Sequence, residues 1–384
     1  SVREIKPLGV GINLQPHAVR ELFELGLERQ LDGIGLRTQE VAYYSQQGGL
    51  IWSEPRGLKA GYRWPQFSIH RGKLQMALYR ALIERAGEDS VASGHALTGW
   101  QDEDGGISAY FTDRKSGKTL EPAAGALLIA ADGINSLARA RLFPDEGPAS
   151  WGGTLMWRGV TKGPKFLTGR SVAMTGIKSV KFVCYPIADT EDGSVLNWVA
   201  DLAMPPGTKW RQQDWNRKGR LEDFLPQFEG WSFDWLDIPE VIRSAEAIYE
   251  FPMVDREPLD RWTHGRMTLL GDAAHAMYPI GSNGASQGIL DARILGRCLR
   301  DHGVTPKALS AYDDARREEV NAVVLANRGD GPDRILDIVD ERAPDGFDRI
   351  EDVISQEDLA RAAGAYKAVA GMDIEALNAR PSIL

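Results

Sequence analysis

The sequence is poor in the residues from which metal sites and disulfide frameworks are built. Its two cysteines, Cys184 and Cys298, have neither metal-ligand spacing nor the pattern of a disulfide framework. Its six histidines do not form a ligand set either, and His275 has no HxxxH partner or acidic pairing around it. We therefore expect no metal ion, and the cysteine usage favours a cytoplasmic location.

Further absences restrict the partners and the chemistry. No apolar run approaches the roughly 20 residues of a membrane span, and no cluster of basic residues with interleaved aromatics accompanies the net charge of −9. No Walker-type lysine loop and no nucleophile elbow is present. At 384 residues, 43% hydrophobic and 26% charged, the chain is expected to fold as an enzyme of two domains, with no membrane and no nucleic acid as partner.

The most informative stretch runs from Arg266 to Ala285. An apolar strand ends at Gly271-Asp272, a turn rich in proline and glycine follows, and an amphipathic helix begins near Ala285. This order places a carboxylate where open α/β sheets bind ligands, beside the positive dipole end of a helix. The alternative is a generic strand-turn-helix unit whose glycines serve the turn alone.

Two shorter segments point to the same kind of ligand. Asp132-Gly133 ends a second apolar strand, and Arg71 opens a helix that carries Gln75 in its first turn. The planar fork of arginine suits a pyrophosphate. A simple turn at Asp132 and a solvated helix start at Arg71 are the alternatives.

Together these motifs resemble the class A (single-component) FAD-dependent aromatic hydroxylases, in particular enzymes like 5-methylphenazine-1-carboxylate 1-monooxygenase. The resemblance extends over nearly the whole chain and weakens from about Gly329 onward. In that family the aspartate of the second motif contacts FAD, the proline lies against the isoalloxazine, and the helix start faces the pyrimidine end of the ring. The resemblance implies FAD contacts by Val10, Arg71, Gln75, Asp132, Asp272, Pro279, Gly281, Asn283, Gly284 and Ala285.

The implied fold is α/β, a Rossmann-like FAD/NAD(P)-binding domain with an inserted β-sheet substrate domain, as in p-hydroxybenzoate hydroxylase. We predict the FAD-binding domain at 1–148 and 256–328, the β-sheet substrate domain at 149–255, and peripheral C-terminal helices and loops at 329–384. The sequence contains no GxGxxG motif, with which the family opens. We therefore expect an N-terminally truncated copy that lacks the first βαβ unit and binds FAD weakly.

Tryptophan is concentrated in the middle of the chain, and flat side chains suit an aromatic ligand, although tryptophans mostly fill sheet cores. The seven are Trp151, Trp157, Trp198, Trp210, Trp215, Trp231 and Trp235. Arg158, Tyr185 and Trp198 are the weak substrate candidates, with Arg158 as the cation for an aromatic carboxylate. A solvated arginine on a sheet face is the alternative.

The resemblance implies a monooxygenase that uses FAD, NAD(P)H and O₂ to hydroxylate an aromatic or heteroaromatic acid through a flavin hydroperoxide. We identify no catalytic base, and we allow for a homodimer. Two other interpretations stay open. One is another flavin oxidoreductase of the same fold, a reductase or a halogenase, although the WxWxIP motif expected of a halogenase is not in the sequence. The other is a truncated, non-catalytic remnant.

Overall fold

The computed structural model describes residues 4–209, 217–329 and 331–384. Trp210 and Trp215 lie outside the described residues. The strands in chain order are β1 (Gly11–Leu14), β2 (Gly35–Thr38), β3 (Glu40–Tyr44), β4 (Leu50–Pro55), β5 (Gln66–His70), β6 (His95–Glu103), β7 (Gly106–Asp113), β8 (Ala123–Gly125), β9 (Leu128–Ala130), β10 (Ser150–Gly163), β11 (Ser171–Ile177), β12 (Val180–Asp189), β13 (Ser194–Ala203), β14 (Ser232–Phe233), β15 (Leu236–Asp237), β16 (Ile248–Asp255), β17 (Thr263–His264) and β18 (Met267–Leu269).

Helices separate and follow these strands. In chain order they are α1 (Pro16–Glu24), α2 (Glu28–Ile34), α3 (Arg71–Ala86), α4 (Leu137–Leu142), α5 (Ile238–Arg243), α6 (Asp272–His275), α7 (Gly284–His302), α8 (Pro306–Arg328), α9 (Arg334–Arg342), α10 (Gln356–Val369) and α11 (Ile374–Ala379). Among the described residues, none of these helices combines the length and the apolar character that a membrane crossing requires.

The largest sheet has seven strands in the order β16-β10-β13-β12-β11-β3-β4. All neighbours are antiparallel except β11 and β3, which are parallel. Successive side chains of a strand point to opposite faces. On β13, Leu196, Trp198 and Ala200 therefore belong to a core cluster with Phe224 on one face, while Val199 and Asp201 face a cavity on the other.

Strands β3 and β4 extend this sheet although they precede residue 149. The sequence prediction assigned them to the FAD-binding domain, whereas the register from Val172↔Val41 to Thr175↔Tyr44 joins them to the inserted sheet. The parallel pairing of residues far apart in the chain has no local sequence signal. The domain boundaries at 148, 255 and 328 stay a prediction.

The predicted nucleotide-binding part has its own cores. Strand β18 pairs in parallel with β9, and the side chains of Met267 and Leu269 pack with Leu309 and Tyr312 of α8. A second sheet, in the order β1-β5-β2, packs against α1 and α3.

The C-terminal helices do more than lie at the periphery. Ile335 and Leu336 of α9 are 0% and 1% exposed, and they pack with Val41 and Val172 on the sheet face that also lines the cavity. This segment therefore closes part of the seven-stranded sheet from solvent.

Candidate active site

A cavity of about 840 Å³ lies between the seven-stranded sheet, helix α3 and the start of α7. It brings together segments that are more than 200 positions apart in the sequence, such as Arg71 and Asp272. The predicted residues that line it are Arg71, Gln75, Arg158, Tyr185, Asp272, Pro279, Gly281, Asn283, Gly284 and Ala285.

The turn after β18 carries Asp272 to the cavity wall, where it begins α6. The N–H of Gly271 donates to Asp291 Oδ2 at 3.2 Å, which ties the turn to helix α7 behind it. The position of the Asp272 carboxylate thus depends on a buried residue that does not itself line the cavity.

This buried support is the Asp291 network, formed by His275, Gln287, Asp291 and Arg316. Asp291 Oδ2 lies 2.5 Å from His275 Nε2, and Arg316 Nε donates to Asp291 Oδ1 at 2.9 Å. Arg316 Nη2 also donates to Gln287 Oε1 at 2.6 Å. Burial raises the pKa of Asp291, but His275 and Arg316 outweigh that effect and hold this pKa below its ordinary value.

Sequence reasoning missed the Asp291 network. Its only local signal is a carboxylate within the buried stretch of α7, where Leu290 and Asp291 are 4% and 0% exposed. The partner Arg316 lies on another helix, so the sequence alone does not reveal that the carboxylate is neutralised.

The turn that leads into α7 depends on a glycine. Gly281 has a φ of 69°, and a Cβ there would lie 2.3 Å from the ring and hydroxyl atoms of Tyr366. The Tyr366 hydroxyl donates to Asn327 Oδ1 at 2.7 Å and accepts from Asn283 Nδ2 at 3.0 Å. Tyr366 of α10 therefore holds this turn in place. The next residues, Gly284 and Ala285, begin α7 at the cavity.

Arg71 begins α3 on the opposite side of the cavity. Its backbone N–H donates to the Val10 carbonyl at 2.9 Å, and its guanidinium lies beside Gly9. Partial burial and the charge of Arg158 lower the pKa of Arg71, while Asp272 opposes them. No ion pair of Arg71 or Arg158 is found in the described part of the chain, so both cations are available to an anionic ligand.

Arg158 lies on β10 and is held by the neighbouring sheet. Its Nη2 donates to the Gly11 carbonyl at 3.0 Å, and the Gly11 N–H donates to Asn197 Oδ1 at 2.6 Å. A Cβ at Gly11 would come within 2.7 Å of the Asn197 side chain, so glycine permits this close approach of β1 to β13. Burial raises the pKa of the nearby Tyr185 to about 12, against the opposing charge of Arg158, so Tyr185 keeps its proton at neutral pH.

Two of the residues predicted to bind the cofactor do not line the cavity. Val10 is 7% exposed, and its carbonyl accepts the Arg71 N–H. Asp132 accepts the Leu137 N–H at 2.9 Å at the start of α4, where Ser136 is the N-cap. Their cofactor roles stay predictions.

Trp198 requires a correction. It is 0% exposed, belongs to the core on the far face of the sheet, and donates from Nε1 to Thr161 Oγ1 at 3.0 Å. The predicted substrate contact of Trp198 is therefore wrong. A strand's alternation separates its two faces, but the sequence alone does not say which face meets the ligand.

The cavity also contains a charged group that the sequence prediction did not include, the Asp201 cluster of Lys181, Asp201 and Asp333. Lys181 Nζ pairs with Asp333 and lies 3.4 Å from Asp201 Oδ2. The available signal was one charged residue on a face of β12 and one on a face of β13. Asp333 lies on the short helical turn Gly331–Asp333 after α8, too far along the chain to be connected by pattern. In residues 4–209, 217–329 and 331–384, no three His, Cys, Asp or Glu side chains are grouped so as to hold a metal ion.

Comparison with known proteins identifies the family. A model described as FAD binding domain matches residues 237–327. The phenazine 1,6-dicarboxylic acid hydroxylase of Lysobacter antibioticus is 43% identical over 85% of this chain and 82% of that protein. The aurachin C monooxygenase/isomerase of Stigmatella aurantiaca is 29% identical over 83% of this chain and 78% of that protein.

Solved structures show the same fold. The crystal structure of Klebsiella pneumoniae HpxO complexed with FAD and uric acid has a TM-score of 0.70 at 21% identity, and the match covers 97% of this chain and 85% of that one. A salicylate hydroxylase substrate complex has a TM-score of 0.70 at 22% identity, over 98% and 92% of the two chains. These likenesses confirm the predicted p-hydroxybenzoate hydroxylase-like fold class. The chain belongs to the FAD-dependent aromatic hydroxylases.

Proposed function

We propose that the protein hydroxylates an aromatic or heteroaromatic carboxylate, with FAD as cofactor and NAD(P)H and O₂ as co-substrates. The observation that carries this proposal is the single cavity that joins the cofactor motif at Asp272–Ala285 to a sheet face bearing Arg158. A relative at 43% identity that is named for the hydroxylation of an aromatic dicarboxylic acid supports an aromatic acid as the substrate.

The residues of the cavity wall fit FAD. Arg71 is a cation with no ion pair in the described residues, as a pyrophosphate ligand requires. Asp272 offers acceptor oxygens for ribose or ribityl hydroxyls, with Gln75 on the opposite wall. Gly281 and Gly284 carry no side chain, and a Cβ at Gly284 would meet only Met277 at 3.7 Å, which leaves room for a flat ring. The start of α7 supplies unpaired N–H groups to its polar edge.

The opposite side of the cavity fits an aromatic acid. Met156, Met174, Val183 and Val199 provide an apolar wall, on which a planar ring is desolvated. Arg158 is positioned by Gly11 and is available to the carboxylate of such a ring.

FAD supplies the oxygen-transfer chemistry when it is bound. The protein holds the substrate carboxylate at Arg158, orients the ring against the apolar wall, and excludes water from it. The N–H groups at the start of α7 stabilise negative charge on an adjacent ligand. Tyr185 stays protonated and can donate a hydrogen bond beside Arg158.

The test is NAD(P)H oxidation by the FAD-loaded protein with a panel of phenazine, pyridine and benzoate carboxylates under ¹⁸O₂. We expect at least one acid to accelerate oxidation and to gain one labelled oxygen atom. The visible spectrum of the purified protein, with and without added FAD, tests the non-catalytic alternative. Label that comes only from water, or a protein that never binds flavin, would contradict the proposal.

Two finer expectations stay proposals. A homodimer is tested by light scattering of the purified protein across a concentration series. A cytoplasmic location is tested by fractionation of cells that produce it.

A further inference from the structure

The Asp201 cluster is buried in the wall of the cavity. Lys181, Asp201 and Asp333 are 7%, 5% and 7% exposed, and all three line the cavity. One lysine faces two carboxylates, so the cluster carries an excess of negative charge when all three groups are ionised.

The hydrogen bonding of this cluster is incomplete. Asp201 Oδ1 and Asp333 Oδ1 are buried and have no hydrogen-bond partner among the described residues, although each carboxylate meets Lys181 through Oδ2. Burial raises the pKa of Asp201, and Lys181 only partly opposes it. An unpaired buried carboxylate oxygen is costly, so a donor brought by a ligand would compensate it.

The cluster stands beside the cation that we assign to the substrate carboxylate. Arg158 faces Val199 across β10 and β13, and Asp201 is two residues further along β13. The backbones of such diagonal neighbours are roughly 7–8 Å apart, and the side chains of Arg158, Asp201 and Asp333 all line the same cavity. One aromatic acid held at Arg158 can therefore reach Asp201 with its opposite edge, and Asp333 adjoins Asp201 through Lys181.

We propose that Asp201 and Asp333 select aromatic carboxylates that carry a hydrogen-bond donor, a hydroxyl or an amino group, on the edge opposite the carboxylate. This inference rests on the proposed function, because it places the substrate carboxylate at Arg158. A second carboxylate on that edge is disfavoured, since it would meet two negative side chains and one lysine that is already paired. This selectivity would differ from that expected of the relative named for an aromatic dicarboxylic acid. Asp333 also makes this selection depend on the C-terminal segment, which contributes no other charge to the cavity among the described residues.

The test measures equilibrium binding to the FAD-loaded full chain by calorimetry, independently of turnover. The probes are two sets of acids, and the members of each set differ only in the group at one ring position. The first is 2-naphthoate with its 6-hydroxy, 6-methoxy and 6-carboxy derivatives, and the second is benzoate with the same groups at position 4. The methoxy compounds keep the oxygen and remove the donor.

We expect the hydroxy acid to bind about tenfold more tightly than its parent and its methoxy analogue, and the dicarboxylate to bind more weakly than the parent. Asp201→Asn and Asp333→Asn should each reduce this preference to threefold or less. The matched control is Asp189→Asn, which makes the same change on β12 at an exposed pair with Arg170 and should keep the preference.

The outcomes separate this inference from the proposed function. If acids bind but the hydroxy compound shows no preference, or the preference survives in both cavity variants, the inference is overturned and the proposed function stands. If no aromatic carboxylate binds to the FAD-loaded protein, both are wrong. Flavin content and the unfolding midpoint of each variant show whether a lost preference comes from a lost fold.

Discussion

The Asp291 network and the Asp201 cluster are both buried groups of charge, yet their central carboxylates, Asp291 and Asp201, differ in how completely their oxygens are hydrogen-bonded. Asp291 is 0% exposed, and both of its carboxylate oxygens have partners. Asp201 is 5% exposed, and one of its oxygens has no partner in the part of the chain that the structure describes. The first lies behind the cofactor motif, and the second lines the cavity.

The pKa values of the Asp291 and Asp201 carboxyl groups differ accordingly. The partners of Asp291 outweigh burial and lower its pKa, whereas burial outweighs the partner of Asp201 and raises its pKa. A carboxylate whose two oxygens are both paired fixes the backbone around it, whereas one with an unpaired oxygen retains capacity to bind a ligand. The burial of charged side chains alone therefore does not show whether they support the backbone or bind a ligand.

The largest effect is expected when the Asp291 network is broken. Asp291→Ala removes the buried carboxylate partner of Arg316 and leaves it with Gln287 and the exposed Glu319, and breaking a buried pair in this way costs about 3–5 kcal/mol. Urea unfolding should show this loss, together with a reduced flavin content. Asp314→Ala, at an exposed position on the same helix as Arg316, is the control and should change the free energy of unfolding little.

A smaller effect is expected at the turn that the Asp291 network supports. Asp272→Ala removes an exposed carboxylate at the cavity, so it should weaken FAD binding by one or two charge-assisted hydrogen bonds, at about 1.5–3 kcal/mol each, and leave the free energy of unfolding of the FAD-free protein nearly unchanged. Fluorescence titration with FAD measures the dissociation constant. A variant that kept its flavin and lost only turnover would contradict the role of Asp272 as a cofactor anchor.

The pH dependence of stability should distinguish the two aspartates. The folded-state pKa of Asp291 lies below its ordinary value of 3.8, so its contribution is present above that value and is lost as the pH falls through the folded pKa. Each unit of pKa shift corresponds to about 1.4 kcal/mol. The stability difference between the wild type and Asp291→Asn should therefore shrink below about pH 3.8. A difference that stays constant from pH 7 to pH 3 would contradict this account.

The smallest change is expected at Asp201. Because its folded-state pKa is raised, the ionised carboxylate lowers stability above its ordinary pKa, and Asp201→Asn removes that penalty. Lys181 keeps its pair with Asp333 in this variant. The free energy of unfolding should change by less than about 1 kcal/mol, toward greater stability. A loss as large as that of Asp291→Ala would remove the distinction between the two groups.

The sequence was most informative where the site is contiguous in the chain. The turn from Asp272 to Ala285 and the helix start at Arg71 are local patterns, and the structure brings them to one cavity. The alternation of side chains along β13 could also be predicted from the sequence. Which of the two faces meets the ligand could not, so the prediction placed Trp198 on the wrong face. The Asp201 cluster depends on strand register and on a turn more than 100 residues later, which no local pattern encodes.

The separate roles of the Asp291 network and the Asp201 cluster are tested most directly by two binding measurements on Asp291→Asn and Asp201→Asn. The first is the dissociation constant of FAD. The second is the ratio of the dissociation constants of 6-hydroxy-2-naphthoate and 2-naphthoate on the FAD-loaded protein. We predict that Asp291→Asn weakens FAD and keeps the ratio, while Asp201→Asn keeps FAD and lowers the ratio to threefold or less. If both variants change the FAD dissociation constant, or both change the ratio, the two buried groups do not have the separate roles assigned to them.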